Sequence, residues 1–120
     1  MSAKLMTKAH RAQLAQNGIA QRQVRNRGEY IDFPPVEKFF TLDAVATWLL
    51  IEVYPADLNI ALGLCDLGVG LPELGDVSLA EIEAVRGPFG LHVERDMSFL
   101  PKKPLSAYAR EAHRAGRIIA

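Results

Sequence analysis

Cysteine is all but missing from this chain of 120 residues, where Cys65 stands alone. An intramolecular disulfide is therefore impossible, and nothing points to a secreted, cross-linked scaffold. Long apolar runs are missing too. The best stretch is broken at Glu52, well short of the roughly 18 residues that cross a bilayer. The first twenty residues scatter charge and polarity with no apolar block, so no signal peptide is expected. Chemical signatures are equally sparse. The stretch from Gly63 to Gly75 lacks the Gly-Lys-Ser/Thr ending of a phosphate loop and precedes no immediate helix. His10, His92 and His113 are far apart and show no H-x-x-x-H spacing, and Cys65 reads as a small buried hydrophobe rather than a nucleophile. No repeat, low-complexity tract or linker divides the chain. With 49% hydrophobic and 23% charged residues, the expected class is one soluble domain over residues 1–120, cytoplasmic and without a cofactor.

What is present is organised around two aliphatic runs, Thr47 to Val53 and Ile60 to Asp66, separated by Tyr54-Pro55-Ala56-Asp57-Leu58-Asn59. Two such runs about a polar, Pro-containing turn read as a β-hairpin. If Val53 pairs with Ile60, one face carries Leu49, Ile51, Val53, Ile60, Leu62 and Leu64 and must be buried. The other carries Trp48, Leu50, Glu52, Ala61, Gly63 and Cys65, with small residues that admit a helix close to the backbone. The last helix is the expected occupant, through Ala109 and Ala112. A one-residue slip would exchange the faces.

The remaining elements follow from local signals. Thr7 can cap a short helix that Gly18 ends, and residues 19–29 then read as a basic arm or loop. Pro34-Pro35 precede a strand over Val36–Thr41, expected at a sheet edge. Residues 74–77 suit a third strand beside the hairpin. Ser78 and Glu81 form a capping box for a helix over Leu79–Arg86, stopped by Gly87-Pro88. Alternation over Leu91–Phe99 predicts a half-exposed strand. A final helix spans Leu105–Ala115, with Leu105, Tyr108, Ala109 and Ala112 inward and Arg110, Arg114 and Arg117 opposite. The fold class is α+β: a mostly antiparallel sheet of about four or five strands, flanked by three helices.

The net charge of zero hides a pattern. Residues 1–40 carry +4, residues 41–100 carry −8, and residues 101–120 carry +4. The basic ends can fold over the acidic middle, or converge into a face for an anionic partner. The second possibility makes Arg22, Arg25, Arg27, Lys102, Lys103, Arg110, Arg114 and Arg117 candidates for contacting nucleic acid or an acidic protein surface, although no named nucleic-acid motif is present. A different possibility is a metal-dependent hydrolase or nuclease in which Glu52, Asp66, Glu73 and Asp76 hold Mg²⁺ or Mn²⁺ through hard oxygen ligands. Turn capping by Asp66 and Asp76, and pairing of Glu52 with a basic end, explains the same residues. A structural or oligomerisation role through the small-residue hairpin face is the third.

The segments Ala46-Thr47-Trp48-Leu49-Leu50, Gly63-Leu64-Cys65-Asp66-Leu67-Gly68, Pro72-Glu73-Leu74-Gly75 and Pro104-Leu105-Ser106-Ala107-Tyr108 carry a resemblance. The chain resembles the bacterial domain-of-unknown-function family numbered 2958, small proteins often encoded on plasmids and other mobile elements. The resemblance runs from the Thr7-Lys8 helix to the last helix. It implies a bacterial cytoplasmic accessory protein, in a setting linked to nucleic acid or defence. It assigns no functional residue, because the family brings no established activity.

Overall fold

A computed structural model describes residues 5–120. The elements are α1 (Lys8–Arg25), β1 (Glu37–Thr41), β2 (Thr47–Tyr54), β3 (Asp57–Asp66), β4 (Glu73–Ser78), α2 (Leu79–Ala84), β5 (Val93–Arg95) and α3 (Leu105–Ala115). The five strands form one antiparallel sheet in the order β4-β3-β2-β1-β5. With its three helices this is the expected α+β domain.

The hairpin of β2 and β3 is the centre of the sheet, and its register follows expectation only part of the way. Thr47 faces Asp66, Leu49 faces Leu64 and Leu50 faces Gly63; the pairing then slips at Ile51, so that Glu52 faces Leu62 and Val53 faces Ala61. Ile51 is the extra residue of a β-bulge, which kinks the strand and re-aims the side chains beyond it. As a result Ile51 joins Leu49 and Leu64 on one layer, while Val53 joins Trp48 and Leu50 on the other. A strictly alternating strand would have kept Ile51 and Val53 together.

The assignment of helices to faces is the reverse of the expected one. The last helix, α3, covers the aliphatic layer of Leu49, Ile51 and Leu64 with Leu105, Tyr108, Ala109 and Ala112. Helices α1 and α2 cover the layer of Trp48, Leu50 and Val53, through Leu14, Leu79 and Ile82, and Leu5 and Met6 are buried there too. Gly63 does not seat α3. A Cβ built on it would lie 2.1 Å from the Leu49 carbonyl oxygen, so this glycine lets β2 and β3 approach just before the bulge.

Helix α1 departs most from expectation. Thr7 does cap it, its hydroxyl accepting from the His10 amide at 3.0 Å. Gly18 does not end it. The helix runs on to Arg25 through Ala20, Gln21, Arg22 and Gln23, all of high or ordinary helix propensity, so residues 19–25 are not an arm. Gly18 serves close packing instead: a Cβ there would stand 1.8 Å from the Val53 carbonyl oxygen. Beside it Asn17 Nδ2 donates to the Ile51 carbonyl at 2.8 Å, serving the bulge. The buried residues of α1 are Leu14, Asn17, Gly18 and Gln21, which fall at the i, i+3, i+4, i+7 spacing of an inward stripe. Helix α1 thus seals β2 beyond the Glu37–Leu50 pair, where β1 stops.

The strand after Pro34-Pro35 is not at an edge, because β5 pairs along it from Phe39–Arg95 to Thr41–Val93. Only Val93–Arg95 of the expected Leu91–Phe99 strand forms, pairing with Phe39, Phe40 and Thr41 of β1. Helix α2 stops two residues early, at Ala84, since Val85 is already extended. Helix α3 has the expected bounds, and Gly116 closes it at φ 74° in the left-handed conformation that favours glycine. None of the helices among the described residues is long and apolar enough to cross a membrane.

Candidate functional site

The four carboxylates considered for a metal fall into separate environments. Asp66 is buried at the end of β3, where Oδ1 accepts from the Gly68 amide at 2.8 Å and Oδ2 from the Ile118 amide at 2.9 Å. Both oxygens are therefore engaged in fastening the chain beyond α3 to the β3–β4 loop. Glu73 opposes Cys65 at the start of β4 and is exposed. Asp76 opposes Leu62, which opposes Glu52, so these two acids share one cross-strand row. Asp76 Oδ1 accepts from the Tyr54 hydroxyl at 2.5 Å. Among the described residues no three His, Cys, Asp or Glu side chains stand close enough to hold a metal ion. The expected carboxylate metal set is not assembled.

Glu52 is almost fully buried. Gln21 Nε2 donates to its Oε1 at 3.2 Å, and Oε2 has no hydrogen-bond partner among the described residues. Burial pushes the Glu52 carboxyl above the ordinary glutamate value, against the Gln21 hydrogen bond and the nearby Arg25 charge, with Asp76 adding to the rise. Glu37 is buried on β1 with both oxygens near His10 Nδ1, at 3.1 and 3.0 Å. Burial raises its pKa as well, opposed by His10 and Arg95. The Tyr54 hydroxyl is pushed up to about 12, by burial first and then by Asp76. Burial also raises the Cys65 thiol, against its hydrogen bond with Trp48, which favours the thiol over the nucleophilic thiolate. These groups bond strands and helices to one another.

The two basic sets lie apart. Arg22 and Arg25 end α1 and line a shallow hollow of about 320 Å³ with Tyr54, Pro55 and Ala56, at the hairpin turn. Arg25 stands 6.0 Å from the Tyr54 ring centroid, and Arg27 pairs with Glu29 at 3.4 Å. Arg117 lies at the opposite end of β2, with Thr47 and Asp66. An eight-residue strand separates the two ends, about 25 Å at some 3.3 Å per residue. Lys103 is engaged by Glu111 at 2.5 Å and by the Tyr108 ring at 4.6 Å, and the Lys102 amide donates to the Tyr108 hydroxyl at 3.1 Å. The side chains of Arg110, Arg114 and Arg117 are exposed and have no hydrogen-bond or ion-pair partner among the described residues.

Sequence reasoning overlooked what surrounds Arg117. The β3–β4 loop exposes Leu67 (61%), Val69 (71%) and Leu71 (68%), and the β1–β2 loop exposes Val45 (70%). These loops touch: a Cβ on Gly68 would meet Val45 Cγ2 at 2.1 Å. The end of α3 adjoins them, with His113 Nε2 3.0 Å from the Pro72 carbonyl oxygen and Gly116 packed near Gly70. Between them lies a groove of about 540 Å³, lined by Val45, Thr47, Gly68, Gly70, Gly116 and Arg117 among others. The signal was legible as Leu67-Gly68-Val69-Gly70-Leu71-Pro72, where large aliphatic residues occupy a Gly- and Pro-punctuated loop that cannot bury them all.

A five-stranded antiparallel sheet, helix-covered on both faces and open at one loop-bearing end, defines a small α+β protein built on a single sheet. The model of one family, described as protein of unknown function (DUF2958), matches residues 5–119, and the chain belongs to that family. No curated protein and no solved structure matches it.

Proposed function

We propose that this protein is a binding module, an accessory protein of the bacterial cytoplasm, that engages an anionic partner through the exposed face of α3. The observation that carries the reading is Arg110 and Arg114, four residues apart on α3, with Arg117 just past its Gly116 cap, all three side chains left without partners among the described residues. Two unpaired guanidiniums on the helix and a third just past its end present planar, bidentate donors to carboxylate or phosphate. The α1 set does not add to this row, because it lies at the other end of the hairpin and its members are partly engaged by Tyr54 and Glu29. Nor is Lys103 free, being held by Glu111.

The test is fluorescence anisotropy at low salt with three labelled probes: an oligo-glutamate peptide, a DNA single strand and its duplex. At least one probe is expected to bind, with an affinity that falls as salt rises. The combined variant Arg110→Glu, Arg114→Glu, Arg117→Glu is expected to weaken that binding about tenfold or more, and Arg22→Glu with Arg25→Glu to leave it within about twofold. Binding to no probe, or binding indifferent to the α3 reversal, overturns the reading.

A further inference from the structure

We infer that the partner of the α3 row is a protein segment that is both acidic and apolar, docked on the loop end of the sheet beside Arg117. The inference rests on the α3 reading above and names the kind of anion it takes. Its argument begins with what the groove offers. Of the charged groups that line it, Lys38 and Asp96 neutralise one another at 3.2 Å, and Lys38 also donates to the Ala120 carbonyl at 2.7 Å. Asp66 has both oxygens filled by the Gly68 and Ile118 amides. Arg117 is the charge left over.

The loops that adjoin Arg117 expose aliphatic side chains. Val45, Leu67, Val69 and Leu71 are each more than half exposed, on two loops that touch one another and the end of α3. Asp43 ties in a third loop, its Oδ2 accepting from the Phe89 amide at 2.7 Å, and Phe89 is exposed as well. Clustered exposed apolar residues of this kind mark an interaction surface, whereas isolated ones are ordinary. Their position is held, not loose. Asp66 fixes the loop to the chain after α3, and Gly68 sits directly on Val45.

The mixture decides between the two classes of anion. A nucleic-acid backbone supplies phosphate for the arginines, but it leaves aliphatic side chains facing sugar and solvent. Proteins that bind single strands place several aromatic rings where bases stack; here Phe40 is the one aromatic residue among the described residues that line the groove, and the exposed residues of the two adjoining loops, Val45, Leu67, Val69 and Leu71, are aliphatic. An acidic segment with apolar residues satisfies both halves. Its carboxylates meet Arg110, Arg114 and Arg117, and its apolar side chains cover Val45, Leu67, Val69 and Leu71, taking that apolar surface out of water. An apolar centre beside arginines is the composition of a protein–protein interface.

The experiment uses the full chain and three labelled synthetic peptides of equal length: Asp/Glu alternating with Leu, the same with Leu changed to Ser, and the first with its acids changed to Lys. The labelled duplex DNA is the fourth probe. The acidic Leu peptide is expected to bind at least about tenfold more tightly than the Ser peptide and the DNA, and the Lys peptide not at all. The variant Val69→Ser, Leu71→Ser, at exposed positions that leave the core intact, is expected to reduce the Leu peptide to the level of the Ser peptide. If the α3 reversal abolishes binding but the Ser peptide or DNA binds as well as the Leu peptide, this inference fails and the α3 reading stands. If the α3 reversal changes nothing, both fail. A dimer seen by light scattering and dissociated by Val69→Ser, Leu71→Ser would assign the surface to a second copy and overturn the inference.

Discussion

Helices α1 and α3 do the same job on opposite faces of the sheet by different chemistry. Helix α3 is an amphipathic helix of eleven residues, with Leu105, Tyr108, Ala109 and Ala112 on the core and arginines outside. Helix α1 is longer, yet its inward stripe is Leu14, Asn17, Gly18 and Gln21. Asn17 and Gln21 hydrogen-bond the Ile51 carbonyl, the Glu52 carboxylate and both backbone groups of Ile31. One helix is seated by apolar burial, and the other by backbone approach and satisfied polar bonds. The difference follows from what each covers. Helix α3 lies on a regular aliphatic layer, whereas α1 closes a strand that has lost its β1 neighbour and carries a bulge, so carbonyls there need donors.

The comparison is broken most severely at Gly18. Gly18→Ala puts a Cβ 1.8 Å from the Val53 carbonyl oxygen, a backbone atom with little room to move. Despite the better helix propensity of alanine, a loss of about 3 kcal/mol or more is expected from urea unfolding. The next effect is at the amides. Gln21→Ala strands the Ile31 amide and carbonyl and removes the one donor to the Glu52 side chain among the described residues; a loss of about 1–3 kcal/mol is expected by the same measurement.

Acid–base behaviour sharpens the contrast, because the two buried carboxylates with raised pKa values, Glu52 and Glu37, bond to residues of α1. The folded state raises the pKa of Glu52 and Glu37 above the ordinary 4.5. A raised carboxyl pKa means the folded state holds the proton more tightly than the unfolded chain. That stability is full below pH 4.5 and is lost as pH rises through the folded values. Urea midpoints from pH 4 upward should carry this downward contribution, and Glu52→Gln should remove the part due to Glu52. A wild-type and variant difference that does not change with pH would contradict the assignment. The smallest effect is on the outer face of α3. Arg110→Glu, Arg114→Glu and Arg117→Glu should each shift stability by no more than about 0.5 kcal/mol, whatever they do to binding.

The same contrast explains what the sequence made legible. The 3.6-residue period of α3, the capping box at Ser78 and the two aliphatic runs of the hairpin are local hydropathy signals, and each located its element correctly. Helix α1 has the same period, written in Asn, Gly and Gln, where hydropathy is silent and Gly18 imitates a helix end. The bulge at Ile51 was illegible because it depends on where β1 stops, a property of the assembled sheet. The arginine row could be read from spacing alone. Its neighbours could not, since the meeting of Val45, Leu67 and Leu71 with the end of α3 joins residues far apart in the chain.

The surface itself is tested most directly by mapping amide chemical shifts in a ¹⁵N-labelled sample while the acidic Leu peptide is added. Perturbations are expected to concentrate at Val45, Leu67, Val69, Leu71, Arg114 and Arg117, at one end of the sheet. Shifts centred instead on Arg22, Arg25 and Tyr54, or spread evenly over the basic residues, would contradict the account.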